Sequence, residues 1–454
     1  MGYMPVRRLI LSMSLPMMVS MLVQALYNVV DSIFVARIGE EALTAVTLAF
    51  PLQNLMIAFG AGTGVGVNAL LSRSLGEKRF DRSDAAANMG LFLTGINFIL
   101  FFLAGMFLAP VFIASQTSNP VIAEYSVTYL RIVCCMSIGL FFQMIFERLL
   151  QSTGRTLYSM ISQATGAIIN IIFDPIMIFG LFGFPKMGVA GAALATVMGQ
   201  VVGSIIGMVL NLKKNPDINF SVKEIFNVRM NVIKEIYIVG LPSILMMSIG
   251  SVMTYLMNRI LIVFSETATA VFGVYFRLQS FFFMPVFGLN NGMIPVLAYN
   301  YGAKKKDRII EALKFSALLA IGVMTAGMLI FQIIPSLLLD LFNASEQMKS
   351  IGIPALRIIS LSFPLAAMGI LMGSVFQAFS KSIFSLIVSV SRQLVTLIPA
   401  AWLLAKLGNV NYVWWSFPIS ELVSFAISIY FFKKVYTEII AGLSDESENR
   451  AAGL

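Results

Sequence analysis

A few acidic residues inside long apolar segments are the residues of this sequence best suited to chemistry. Asp31, Asp174 and Glu421 lie well within such segments, where an ionisable side chain marks a functional site by default because its burial is costly. Asp340 and Glu147 lie near segment ends, and we expect them to reach lipid head groups. The chain contains no histidine, so any proton transfer must use carboxylates instead of the usual imidazole.

Polar side chains line one face of the first apolar segment. They follow the spacing i, i+3, i+4 and i+7, which puts them on one side of an α-helix: Gln24, Tyr27, Asn28 and Asp31. A polar face at membrane depth must contact protein or water. We therefore expect Gln24, Tyr27 and Asn28 to contact the substrate and Asp31 to bind an ion.

The fifth and sixth segments carry a matching set of polar residues. Asn170 and Asp174 share one helical face with Gly166, and Thr196 lies about two turns into the sixth segment. Alternate segments run in opposite directions, so we expect these side chains to converge with Asp31 at similar membrane depth. Two carboxylates in one pocket repel each other, which favours a shared proton or a cation. The alternative is a hydrogen-bond network that binds no transported ion.

The remaining acid within a segment, Glu421, has a basic residue at comparable depth on the preceding segment, Arg392. An internal ion pair relieves the cost of burying either charge alone. We interpret Arg392 and Glu421 as a structural pair, with a substrate role as the alternative.

These residues must be positioned by membrane helices. Soluble domains carry about 25% charged residues, whereas this chain has 12% charged and 58% hydrophobic residues. Twelve apolar stretches reach the roughly 20 residues that cross a bilayer. The sequence predicts an all-α integral membrane protein with twelve transmembrane helices and no soluble catalytic domain.

Lysine and arginine concentrate at the N-terminus and in every second connection. By the positive-inside rule this pattern predicts a multi-pass protein of the plasma membrane with both termini in the cytoplasm. The same rule explains the net charge of +9 without nucleic acid as a partner.

The two halves are related by an internal repeat with a constant offset of 226 residues. Leu15-Pro16 matches Leu241-Pro242, and Gly66 matches Gly292. An even number of helices per repeat makes the repeats parallel, related by a pseudo-two-fold axis along the membrane normal, a plan found in transporters. We predict an N-lobe over 1–212, a cytoplasmic linker over 213–231, a C-lobe over 232–440 and a disordered tail over 441–454.

Several motif-like stretches resemble the multidrug and toxic compound extrusion (MATE) family, and the resemblance covers most of the chain. They begin at Tyr27, Asn170, Gly188 and Asn300. The resemblance implies an antiporter that exports cationic amphipathic compounds in exchange for protons or sodium. It also implies an N-lobe coupling site on Asp31, Asn170, Asp174 and Thr196 and a bendable proline in the first helix, Pro16.

Another branch of that family binds its cation in the C-lobe, on acids of the seventh and tenth helices. This sequence has only Glu235 at the mouth of the seventh helix and no acid in the tenth. The resemblance therefore favours the N-lobe site.

We predict a transporter that exports drugs and toxins by alternating access, without enzymatic activity, cofactor or dedicated metal site. The coupling ion is expected to be a proton, because sodium requires more oxygen ligands than the side chains of Asp31, Asn170, Asp174 and Thr196 provide. Sodium bound at Asp31 and Asp174 is the alternative. Expected partners are small organic cations and membrane lipids, and the expected state is a monomer. The alternative function is a flippase for lipid-linked saccharides. The absence of histidine and of a clustered catalytic set argues against a membrane-embedded enzyme.

Four glycines in the second segment resemble a phosphate-binding loop. Gly60, Gly62, Gly64 and Gly66 lie within an apolar helix, with no preceding strand and no Gly-Lys-Ser/Thr after them. We expect them to permit close helix packing instead.

Overall fold

The computed structural model describes residues 1–342 and 344–443, and these residues form helices and no strands. The predicted tail from Ser444 onward lies outside the described residues. Among the described residues, ten helices are long and apolar enough to cross a membrane, and two bent helix pairs bring the number to twelve when each pair is counted as one span. The predicted all-α fold with twelve spans is confirmed.

We number the membrane helices α1 to α12. In chain order they are α1 Val6–Ala36, α2 Glu40–Gly76, α3 Phe80–Ala114, α4 Pro120–Cys135 with Ile138–Ser152, α5 Thr156–Phe179, α6 Val189–Lys214, α7 Met230–Leu261, α8 Glu266–Gly302, α9 Lys306–Ile333, α10 Glu346–Ser360 with Phe363–Ala378, α11 Ser382–Ala405 and α12 Val410–Ile440. Two short helices, Val222–Phe226 and Pro335–Asp340, lie between α6 and α7 and between α9 and α10. Helices predominate because a bilayer offers no water to satisfy backbone polar groups.

The internal repeat is visible in the two bent helices. The halves of α4 meet at 47° and those of α10 at 49°. Each helix begins after a side chain that accepts from its first backbone N–H groups, Asn119 before α4 and Ser345 before α10. These two capping residues are 226 residues apart, the same offset that relates the rest of the repeat.

Contacts within the chain define two compact units, and their boundaries differ from the sequence repeat. One unit contains Met1–Met18 and the described chain from Leu245 onward, and the other contains Val19–Ile244. Helices α1 and α7 therefore each belong partly to both units. The lobes predicted from the repeat, 1–212 and 232–440, remain a sequence-based division.

Glycines explain how the first part of α1 and of α7 packs. In the Val19–Ile244 unit, Gly62 and Gly66 of α2 lie against the backbone of α7 at Gly240 and Ile236. In the other unit, the repeat-related Gly288 and Gly292 of α8 lie against α1 at Met18 and Ser14. A side chain at any of these glycines would strike its neighbouring helix. The prediction of close packing at the α2 glycines is confirmed.

The connection between α6 and α7 is held against α3. Asn219 donates its backbone N–H to Asp84 Oδ1 at 2.8 Å, and its carbonyl oxygen accepts from Asn88 Nδ2 at 3.1 Å. The backbone N–H of Ser221 donates to Asn88 Oδ1 at 3.2 Å. The linker is therefore fixed to the unit that contains α3.

Candidate functional site

The site begins with a close approach of α5 and α6. A β-carbon at Gly199 would lie 2.5 Å from the carbonyl oxygen of Gly166 and 3.1 Å from Cβ of Asn170. Only glycine tolerates such a contact between helix backbones. The two glycines therefore place the polar residues of α5 directly beside α6.

One turn above this contact, three polar side chains form a buried group. Asn170 Nδ2 donates to Asp174 Oδ1 at 3.4 Å and to Thr196 Oγ1 at 3.3 Å. Asp174 is fully buried, and Asn170 and Thr196 are 3% and 5% exposed. The amide of Asn170 therefore joins the α5 carboxyl group to the α6 hydroxyl group. The predicted site residues Asn170, Asp174 and Thr196 lie together.

Asp31 of α1 completes the group. Its carboxyl group and that of Asp174 lie close enough to hydrogen bond to each other. Two ionised carboxylates have no proton to donate, so a hydrogen bond between them would require one of the pair to be protonated. The structure thus brings together all four residues expected at the coupling site.

The pocket also contains acceptors that lack donors. Asp31 Oδ1, Asp174 Oδ2 and Asn170 Oδ1 are buried and accept no hydrogen bond within residues 1–342 and 344–443. Buried acceptors are normally satisfied, so each such group calls for an explanation. A proton on the carboxyl pair, or a small cation among these oxygens, would supply what the protein's own side chains do not.

Tyr129 and Gln53 are site residues that the sequence reasoning missed. Tyr129 of α4 is 3% exposed, hydrogen bonds to Gln53 of α2 and interacts electrostatically with both Asp31 and Asp174. Gln53 gave a signal, since it is a polar residue in an apolar run. Tyr129 gave none, because a tyrosine in a membrane helix usually indicates an interfacial position.

Only part of the polar face of α1 lies near the carboxyl pair. Tyr27 interacts electrostatically with both carboxyl groups, and Gln24 Oε1 accepts from Gln163 Nε2 of α5 at 3.0 Å. Asn28 is exposed. Pro16 lies inside the continuous helix α1.

The family follows from a comparison with known proteins. The MatE family model matches this chain twice, over residues 16–176 and 242–403. The two matches begin 226 residues apart, as the internal repeat predicts, and together cover well over half of the chain. This chain belongs to the MatE family. The expected resemblance is confirmed, and the MatE chain is a membrane transporter and not an enzyme.

Relatives and solved structures extend over nearly the whole MatE chain. The multidrug export protein MepA of Staphylococcus haemolyticus is 25% identical over 90% of this chain and 89% of its own. An FAD transporter of Shewanella oneidensis is 26% identical, and the match covers 97% of both chains. A crystal structure of MATE in complex with MaL6 has a TM-score of 0.90 at 26% identity, covering 96% of this chain and 97% of that one.

In the other unit of the MatE chain, Arg392 and Glu421 form an ion pair. Arg392 Nη1 lies 3.1 Å from Glu421 Oε1, with 29% and 11% of the two side chains exposed. Arg392 belongs to a π-helical stretch of α11, Ser391–Leu397, a local widening that often occurs at functional sites. Tyr275 of α8 interacts electrostatically with both members. The pair exists as predicted, and its role as a structural pair stays a prediction.

The two remaining acids, Asp340 and Glu147, have different surroundings. Asp340 has a half-exposed side chain and pairs with Lys349 at 2.6 Å. Glu147 is half-buried. Its Oε1 accepts from Gln143 Nε2 at 3.0 Å, and Gln143 packs against Gly166 and Gly203 inside the unit. The second half of α4 packs against α5 and α6. Contact of either acid with head groups stays a prediction.

Proposed function

We propose that this MatE transporter is a cation-coupled antiporter that exports cationic amphipathic compounds by alternating access. The observation that carries the proposal is the Asp31–Asp174 pair. Each of the two neighbouring carboxyl groups has one buried oxygen that accepts no hydrogen bond within residues 1–342 and 344–443, an arrangement that favours a proton or a cation. The name of the Staphylococcus haemolyticus relative, a multidrug export protein, supports drugs as the cargo.

The coupling ion in this proposal is a proton. The pocket offers oxygens from Asp31, Asp174, Asn170 and Thr196, and one lone pair of Thr196 is already occupied by Asn170. A hard cation such as sodium favours a fuller shell of oxygen ligands, as other hard cations do. A shared proton needs only the two carboxyl groups, so sodium is the second choice.

Antiport requires that ion and cargo exclude each other. A shared proton removes one of the two negative charges of the pair and lets α1 pack against α5 through Asp31 and Asp174. Loss of the proton leaves two repelling carboxylates, which favours separation of the helices and attracts a cationic cargo. Pro16 lies 15 residues before Asp31 on α1, and its missing N–H makes a bend there inexpensive.

The orientation in this proposal places both termini in the cytoplasm and the protein in the plasma membrane as a monomer surrounded by lipid. The basic connections support that orientation. The relatives described above are named as a multidrug export protein and an FAD transporter, so the lipid-linked saccharide flippase is not favoured. The Shewanella oneidensis relative makes FAD the second candidate cargo.

Transport by the purified protein in liposomes tests the proposal. We expect uptake of ethidium, a fluorescent organic cation, when a pH gradient is imposed, no uptake with a sodium gradient at equal pH, and little transport of FAD. Asp31→Asn is expected to abolish the pH-driven uptake. Uptake that follows sodium alone would leave the site but overturn the choice of ion, and FAD transport without ethidium transport would overturn the cargo.

A further inference from the structure

A cavity of about 720 Å³ lies between the α2–α3 turn and the residues that begin α7. All of these residues belong to the Val19–Ile244 unit. The charged residues that line the cavity are Lys78, Arg79, Asp81, Arg82, Arg229 and Glu235. Four cations therefore face two acids, and the cavity carries an excess of positive charge.

The acids around this cavity neutralise it only in part. Glu77 forms ion pairs with three arginines, one of which lies outside the cavity, and it is 3.7 Å from Arg79 and 3.6 Å from Arg82. Arg82 also pairs with Glu235, and Arg229 pairs with Glu224 at 2.6 Å. Within residues 1–342 and 344–443, Lys78 has no ion-pair partner.

The backbone presents these cations on a tight turn. Lys78 has a φ of 57°, and the N–H of Arg79 donates to the carbonyl oxygen of Ser74 at 2.9 Å. Helix α3 begins at the next residue, Phe80, and no side chain caps its first N–H groups. The positive end of the α3 dipole therefore points to the same place as the basic side chains.

The repeat provides a second example of this turn, in which the basic side chains have different partners. Lys304 repeats Lys78 and has nearly the same φ, 56°. Arg308, which repeats Arg82, donates from Nη2 to the carbonyl oxygens of Met1 and Met4 at 2.8 Å. Lys305, which repeats Arg79, donates to the carbonyl oxygen of Gly2 at 2.9 Å. Oxygens of the chain's own N-terminus thus satisfy the cations of that turn.

The corresponding residues before α7 do not fill the cavity in the same way. Tyr3 lies 4.9 Å from the Lys305 ammonium group, measured to the ring centre, whereas the residue that repeats Tyr3 is Arg229, a fourth cation. One turn is covered by an aromatic ring and carbonyl oxygens, and the other opens into a cavity with a further positive charge.

We infer that this cavity binds a phosphate group. Guanidinium groups bind phosphate oxygens through paired, charge-assisted hydrogen bonds, and lysine adds a compact charge. The cavity lies at helix ends, where the head groups of lipids and soluble phosphates can both reach it. A phosphate there contacts the start of α3 and the start of α7 at once and holds the first part of α7 to this unit. This site lies apart from the Asp31–Asp174 pair and does not depend on the proposed transport function.

Binding to the purified full-length protein in neutral detergent tests the inference. The probes are phosphatidylglycerol, phosphatidylcholine and inorganic pyrophosphate at matched ionic strength, with binding read by native mass spectrometry and by the melting temperature. The test variant is Lys78→Gln with Arg79→Gln. The matched control is Lys213→Gln with Lys214→Gln, which removes the same charge from another exposed site of the same unit.

We expect saturable binding of phosphatidylglycerol or pyrophosphate. The test variant should weaken this binding by about tenfold, because charge-assisted hydrogen bonds are lost. The control variant should leave it unchanged. Competition by pyrophosphate identifies a soluble phosphate as the ligand, and binding of the lipid without such competition identifies a head group. Equal weakening in the control, or no binding of either phosphate probe, overturns the inference. These readouts do not require transport, so they are separate from the test of the antiport proposal.

Discussion

The carboxyl groups of Asp31 on α1 and Asp174 on α5 lie within hydrogen-bonding reach of each other, although the two residues come from opposite ends of the first repeat. Asn170 ties Asp174 to Thr196 of α6, so the carboxyl pair connects α1 to a fixed α5–α6 contact. A change in the charge of this pair therefore changes the contact between α1 and α5.

The packing of α5 on α6 can be tested at Gly199. A methyl group at this position would lie 2.5 Å from the carbonyl oxygen of Gly166, so Gly199→Ala must separate the helices, at a cost of about 1 to 3 kcal/mol for overpacking. We expect a lower melting temperature and weaker ion-coupled transport, because Asn170 moves with α5. Gly95→Ala is the control, since its β-carbon meets no atom within 4 Å. Equal melting temperatures for the two variants would contradict the packing account.

The Arg392–Glu421 pair is expected to stabilise its unit without binding the coupling ion. Glu421→Gln leaves Arg392 without its partner and should cost up to about 3 kcal/mol, the lower end for buried pairs because Arg392 is partly exposed. The double variant Arg392→Met with Glu421→Leu should recover much of that loss. Melting temperature and proton-driven transport are measured together. A Glu421→Gln protein that melts normally and yet loses coupling would place the ion site in this unit.

Pro16 is expected to affect the rate of transport more than the fold. Pro16→Ala restores a backbone N–H inside α1 and makes a bend in the helix more costly. We expect normal expression, an unchanged melting temperature and slower pH-driven efflux. Pro51→Ala in α2 is the control for removing a proline from a membrane helix. If both variants transport at the wild-type rate, α1 does not need to bend at Pro16.

The orientation is tested at the connection before α7. Asn227 is exposed, and a cysteine there, in a background with Cys134→Ala and Cys135→Ala, should react with a membrane-impermeant maleimide in inside-out vesicles and not in intact cells. The reason is the concentration of basic residues on that side of the membrane. Labelling of intact cells at the rate seen in vesicles would reverse the topology.

Regular spacing made much of the fold and of the site predictable. Asn170 and Asp174 follow a helical period, and the 226-residue repeat predicted two related halves. The double match to the family and the similar bends of α4 and α10 agree with that repeat. Contacts that depend on tertiary structure were beyond that reasoning. Tyr129 reaches the carboxyl pair only because α4 packs against α2. Gln143, which donates to Glu147, likewise contacts Gly166 and Gly203 only through helix packing. The unit boundary near Met18 likewise depends on glycine contacts between distant helices.

Proton release on substrate binding is the most direct test of the central claim, that the Asp31–Asp174 pair holds the coupling ion. Purified protein in lightly buffered detergent solution is titrated with ethidium while a pH-sensitive dye is read. The account predicts release of about one proton per bound cation, as mutual exclusion requires, no release from Asp31→Asn, and wild-type release from the control Asp340→Asn. Undiminished release from Asp31→Asn, or binding that releases no proton and instead weakens with added sodium, would contradict it.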